Sequence, residues 1–189
     1  AIRALVVLTT GFEDIEAIAP IDVLTRAGVD VTVAGLHPGP VKGAYGTTIL
    51  PSMHIGAIES ALYDAVVLPG GRINAQGLAA DLRLVAIVQR YFKAGNLVAA
   101  ICASPSHVLG EAAGVLHGKR ATGDPTFDEK LAAAGAEVTG EPVTVDGNII
   151  TGMGPGAAML FALQIAEYLA GSEIVDTFVK RWRIVRPSN

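Results

Sequence analysis

Five short runs of β-branched and aliphatic residues punctuate the chain: Ala4–Leu8, Val31–Leu36, Ala65–Leu68, Leu97–Ile101 and Val143–Thr151. The first, Ala4-Leu5-Val6-Val7-Leu8, is apolar at every position, as a strand buried on both faces of a parallel sheet reads. Between the runs, apolar residues recur at helical spacing. Ile21, Leu24 and Ala27 stop at Gly28; Leu82, Val85, Val88, Tyr91 and Phe92 stop before Gly95; Leu160, Leu163, Ile165, Ala166 and Leu169 stop before Gly171. Glycine closes helices because it enters the left-handed region without a Cβ penalty. Ser172 reads as the N-cap of a last helix carrying Ile174, Phe178 and Trp182 on one face. Val143–Ile150 predicts a hairpin turning on Asp146-Gly147.

Strand and helix in alternation predict βαβ units, so the expected fold is α/β: a doubly wound, mostly parallel sheet with helices on both faces and a small hairpin. No low-complexity linker or repeat divides residues 1–189, which read as a single domain. In such sheets ligands sit beyond the carboxyl ends of the strands, so the strand-to-helix junctions are where chemistry is sought.

Composition narrows the class. Hydrophobic residues make up 51% of the 189 and charged residues 17%, against about 25% in ordinary domains. Disorder is excluded, and the charge deficit suggests surface buried against a second subunit. No apolar run approaches the ~20 residues of a membrane-spanning helix. Ala1-Ile2-Arg3 leads straight into a strand-like run, so a cytoplasmic protein is expected. A net charge of −4 gives no reason to expect nucleic acid or an anionic membrane as partner. One cysteine rules out an internal disulfide, a CxxC pair and a cysteine-rich zinc site.

Four junctions are informative. In Gly11-Phe12-Glu13-Asp14-Ile15-Glu16, the acids suit the dipole at a helix start. Pro20 cannot donate to the Glu16 carbonyl, so helix geometry is expected to be interrupted or only beginning there. Glu16, flanked by Ile15 and Ala17, reads equally as an inward or a solvated carboxyl. Pro69-Gly70-Gly71 follows a buried strand, and its amides could form an anion-binding nest or merely a tight turn. Neither a P-loop nor a Rossmann fingerprint is present.

At the third junction, Val98-Ala99-Ala100-Ile101-Cys102-Ala103-Ser104-Pro105, a strand delivers Cys102 to a turn, with Pro105 suited to the first helical turn after it. This is a nucleophile-elbow arrangement with sulfur in place of oxygen. A free thiol is only about 3% thiolate at pH 7; a helix N-terminus and backbone N–H groups would lower its pKa by ~2–3 units. A buried, inert structural cysteine is the alternative. At the fourth, Asp124-Pro125 starts a turn. His37, His54, His107 and His117 read as surface or packing residues, so no metal site is expected.

Taken together, Glu16 ahead of a Pro-x-Asp helix, Pro69-Gly70-Gly71, Ala99-Ala100-Ile101-Cys102-Ala103-x-Pro105 and Gly154-Pro155-Gly156 resemble the ThiJ/PfpI superfamily. The resemblance covers nearly the whole chain and is closest to the branch of the Parkinson's-disease-associated deglycase. It implies a flavodoxin-like sheet, a homodimer with Arg26 at its interface, no cofactor, and a protonated Glu16 holding Cys102. The amides of Gly70, Gly71 and Ala103 would form the anion pocket. The activity implied is cofactor-independent conversion of glyoxals, small aldehydes such as methylglyoxal, or of early glycation adducts. Oxidation of Cys102 to a sulfinate, as a redox sensor or chaperone, is the alternative. The chain departs from the family pattern at three places. The family histidine near the cysteine falls at or beside Asp124, which would then act beside the site, and two arginines align with Tyr45 and Met153. Histidine does not follow the cysteine, as it does in the peptidase branch; Ala103 stands there.

Overall fold

Residues 1–188 are described by the computed structural model. All five apolar runs become strands: β1 (Arg3–Leu8), β2 (Asp30–Gly35), β6 (Ala65–Leu68), β7 (Leu97–Ile101) and the hairpin β10 (Val143–Asp146) and β11 (Ile149–Gly152). Two-residue strands β3 (Val41–Lys42), β4 (Thr48–Ile49), β5 (Met53–His54), β8 (Arg120–Ala121) and β9 (Glu137–Val138) lie in the connections. Seven strands form one sheet in the order β10-β11-β7-β6-β1-β2-β5, parallel except for β10 against β11.

The alternation of the pleat sorts each strand between two cores. Leu5, Val7, Val66, Leu68, Val98 and Ala100 face one side; there they pack with Leu78 of α2 (Arg72–Ala80), Leu84, Val88 and Tyr91 of α3 (Leu82–Lys93), and Leu131 of α4 (Asp128–Ala133). Ala4, Val6, Leu8, Val67, Ala99 and Ile101 face the other, against Leu24 of α1 (Asp14–Arg26), Phe161 of α5 (Ala158–Ala170) and Phe178 of α6 (Ser172–Arg181). Both faces are covered, which is why these strands carry no polar alternation. This is the doubly wound, flavodoxin-like arrangement.

Local details depart from expectation for definable reasons. Helix α1 starts at Asp14 and runs through Pro20. The proline removes one bond, and the helix is held ahead of it by Glu13 Oε1, which accepts the Ile15 N–H at 2.6 Å. Leu82 is 82% exposed, because Asp81 caps α3 by accepting the Arg83 and Leu84 amides and sets Leu82 outside the buried stripe of Leu84, Val85, Ile87, Val88 and Tyr91. Gly171, at φ 96°, occupies the N-cap of α6, and Ser172 is its first helical residue. The hairpin turns on Gly147-Asn148, not Asp146-Gly147: Asp146 still pairs with Ile149, and its carboxylate accepts the Arg120 N–H at 2.9 Å. After Cys102 the chain winds as a π-helix, Pro105–Ala112. No helix among the described residues is long and apolar enough to cross a membrane.

Candidate active site

Strands β7, β6 and β1 are neighbours, and the loops leaving their carboxyl ends meet. Asn74, fully buried at the start of α2, ties them together. Its side chain accepts the Thr9 N–H at 2.8 Å and donates to the carbonyls of Pro69 and Gly70 at 2.9 and 3.1 Å. Ser104 Oγ donates to the Pro69 carbonyl at 2.5 Å, and the Glu13 N–H to that of Gly70 at 3.0 Å. The Pro69–Gly71 turn is thus fixed from both sides.

Two glycines are required by contact. A Cβ on Gly70 would lie 2.5 Å from Cys102 Cβ and 2.8 Å from the Ile101 carbonyl, and closer still to Glu16 Oε1. Gly71 has φ 89°, and a Cβ there would meet the Glu13 nitrogen at 2.7 Å. Cys102 itself has φ 65°, a strained conformation for a residue with a Cβ. That strain marks it as the elbow the sequence suggested.

Glu16 is fully buried. Its Oε1 accepts the Gly70 N–H at 3.0 Å, while Oε2 has no partner. Burial, with the Glu13 charge next in effect, pushes its carboxyl up to about 8, so it holds its proton at neutral pH. Cys102 is half-buried; its Sγ lies 3.8 Å from Asp124 Oδ2, and its carbonyl accepts the Asp124 N–H at 2.8 Å. Asp124 Oδ1 accepts the Thr126 N–H at 3.0 Å, so the expected Asp-Pro turn also aims a carboxylate at the sulfur.

The thiol does not have the depressed pKa expected at a helix start. Burial pushes it up, as do the Glu16 and Asp124 carboxyls, and only the Gly71 N–H opposes them. One amide does not outweigh desolvation and two acidic neighbours. The Gly70 amide is committed to Glu16, leaving Gly71 as the amide that acts on the sulfur. Arg26 is remote from this group: it ends α1, pairs with Asp22 at 2.5 Å and lies over the Trp182 ring.

Glu13 was legible only as a dipole acid. It is 7% exposed, its Oε2 has no partner, and burial raises its pKa against the opposing Ile15 N–H. Asp14 acts elsewhere. Burial opposes ionisation, but hydrogen bonds from Thr47 and Tyr45 outweigh it and hold the carboxyl below its usual range. Its oxygens accept the Tyr45 and Thr47 amides at 2.9 and 2.8 Å, pinning the β3–β4 turn over the start of α1. His107 is a packing residue, as its position suggested: its Nδ1 lies 2.9 Å from the Ala103 carbonyl and its ring packs edge-on to Phe127. Among the described residues, no three His, Cys, Asp or Glu side chains converge closely enough to hold a metal ion.

The structure thus brings together a cysteine at positive φ after β7, a fully buried carboxyl and a Gly-Gly turn. The DJ-1/PfpI family model matches residues 2–168. The chain belongs to this family. The DJ-1/PfpI relatives include protein dj-1beta of Drosophila melanogaster, 42% identical over 178 residues and covering 94% of each chain. A glutathione-independent glyoxalase of Caenorhabditis elegans is 34% identical over 168 residues, 89% of this chain and 88% of the relative. A deglycase of Thermococcus kodakarensis is 34% identical over 154 residues, 82% of this chain and 91% of its own. The crystal structure of Drosophila DJ-1beta superposes with a TM-score of 0.92 at 39% identity, covering 98% of this chain and all of that one. That likeness shows the flavodoxin-like DJ-1 fold.

Proposed function

We propose that the protein is a cofactor- and glutathione-independent glyoxalase or deglycase that uses Cys102 as nucleophile and Glu16 as acid and base. The observation that carries the reading is the fully buried Glu16 carboxyl, protonated at neutral pH, with one oxygen unpartnered beside a strained cysteine. Family relatives named as a glyoxalase and a deglycase support it. For methylglyoxal, Sγ bonds to the aldehyde carbon and the carbonyl π pair moves to oxygen. That oxygen takes the Glu16 proton, and the thiol proton passes to Asp124, its nearest acceptor. The Gly71 and Ala103 amides would hold the developing oxyanion. Glu16, now ionised, removes the hydrogen from the hemithioacetal carbon, the hydroxyl proton on that carbon's oxygen shifts to the former ketone oxygen through an enediol, and Glu16 delivers the proton it took to the neighbouring carbon. Water hydrolyses the resulting thioester to lactic acid and the thiol, and the proton held by Asp124 returns to Glu16, so the net change is addition of one water to methylglyoxal.

The test is lactate formation from methylglyoxal without glutathione in wild type and Cys102→Ser. Turnover that requires Cys102 supports the reading; absence of turnover, or its survival in Cys102→Ser, overturns it. The sensor reading is less favoured, because a sulfinate would place new negative charge beside Asp124.

We also propose that the chain works as a homodimer through the outer face of α1. Ile15 and Ile18 are 59% and 41% exposed, and with Met159, Trp182 and Arg26 they line one largely apolar groove.

A further inference from the structure

We infer that the site selects its carbonyl substrate by charge, accepting neutral or cationic aldehydes and rejecting those that bear a carboxylate or phosphate, with Asp124 as the specificity-determining residue. The inference rests on the reading of Cys102 as the nucleophile toward carbonyls. Among the described residues, the ionisable side chains whose charge acts on the sulfur, Glu16 and Asp124, are both acidic. Asp124 Oδ2 is 3.8 Å from Sγ, and the fully buried Glu16 is close enough for its charge to act on the thiol. Glu13 is nearly as buried and has an unpartnered oxygen.

Among the described residues, no side-chain cation pairs with them. The ion pairs among the described residues are Arg26–Asp22, Arg83–Asp81, Arg120–Glu141 and Lys130–Glu111, and none involves Glu13, Glu16 or Asp124. Burial and the Lys130 charge lower the proton affinity of His107, and its Nδ1 faces the Ala103 carbonyl. Arg72 follows Gly71 but is exposed and pairs with none of the three. Because Glu16 keeps its proton at neutral pH, the charge nearest the reacting sulfur belongs to Asp124. An incoming anion would approach that carboxylate in a half-buried site, where Coulomb repulsion is screened far less than in water. A discrimination of about tenfold or more per unit charge is the expected size.

Alkylation of Cys102 by iodoacetamide and iodoacetate reads this directly, since the reagents match in size and differ by one charge. In both, the Sγ–C bond forms as iodide leaves, and the thiol proton goes to solvent. In wild type the iodoacetamide-to-iodoacetate rate ratio should exceed that of a free, uncharged cysteine derivative by about tenfold, and Asp124→Asn should lower it at least threefold. Taking the ratio cancels any change in nucleophilicity, and Asn keeps the oxygen that accepts the Thr126 N–H, so the turn survives. A wild-type ratio within twofold of the free thiol, or one unchanged in Asp124→Asn, overturns the inference. Turnover of 4,5-dioxopentanoate against its methyl ester separates the two claims. Faster turnover of the ester supports both. Equal turnover overturns charge selection and leaves the glyoxalase standing, while a raised alkylation ratio with no turnover of either aldehyde does the reverse.

Discussion

The Glu16 carboxyl hangs from the Gly70 amide, N–H to Oε1 at 3.0 Å, and this bond ties the buried acid to the turn beside the cysteine. It also explains why position 70 excludes a side chain. A methyl group there would overlap Glu16 Oε1 and Cys102 Cβ together. Gly70→Ala should therefore cost roughly 1–3 kcal/mol of stability, as overpacking does, and disable the site by separating the two residues. Thermal denaturation and lactate assays check both. Wild-type turnover in a fully folded Gly70→Ala protein would show that this packing does not set the chemistry.

Burial of Glu16 also fixes a sign for stability against pH. Its folded pKa, about 8, lies above the ordinary glutamate value of 4.5, so the folded state binds the proton more tightly than the unfolded chain. The stabilisation this gives is full below about pH 4.5, is lost as pH rises through about 8, and is flat beyond. Its span is on the order of 5 kcal/mol. Glu13 acts in the same direction, whereas Asp14 and Asp81, held below their usual values, act oppositely at lower pH. Comparison with Glu16→Gln isolates the one group: the variant should gain stability relative to wild type steadily between pH 5 and 8. Urea denaturation at intervals across that range measures it, and parallel curves would mean that Glu16 is ionised when folded.

What could be read from the chain and what could not divides along physical lines. The buried strands were legible because residues such as Ala4–Leu8 carry no polar face, and Cys102 was legible because a strand of small residues ran into a turn ahead of Pro105. Helix α2 was not, since its inward positions include Asn74, a polar residue whose role is to bind the loops beside it. Glu13 and Glu16 share a local sequence of acids, and nothing in that sequence says that both carboxyls are enclosed. Least legible was the proton affinity of Cys102. A cysteine at a helix start suggests an easily formed thiolate, yet the balance is set by burial and by two carboxyls distant along the chain.

That balance makes Glu16→Gln informative in a second way. Glu16, when ionised, raises the thiol pKa through its charge. A glutamine cannot ionise, so the Cys102 pKa should fall in the variant, and iodoacetamide should react faster above pH 8. Turnover of methylglyoxal should move the other way, dropping about 10²–10⁴-fold with the loss of a general acid and base. A merely structural role for Glu16 would move both rates in one direction. Rates that fall together in a folded variant would remove it from the mechanism.

The face of α1 tests the assembly. Ile18 is 41% exposed near Met159 and Trp182, an uncovered apolar surface on a chain with little charge to spare. If two copies cover this face, Ile18→Glu places unpaired charge at the centre of the contact and should yield a monomer by light scattering. Because Ile18 touches solvent in the single chain, the variant should lose little intrinsic stability. Arg26→Ala is the companion case. Its pair with Asp22 is half-exposed, at 55% and 50%, so losing it should leave the isolated fold nearly unchanged. Any effect on assembly must then come from its position in the lining of the groove. A wild-type protein that scatters as a monomer at micromolar concentration would refute the dimer, and an Ile18→Glu dimer would place the interface elsewhere.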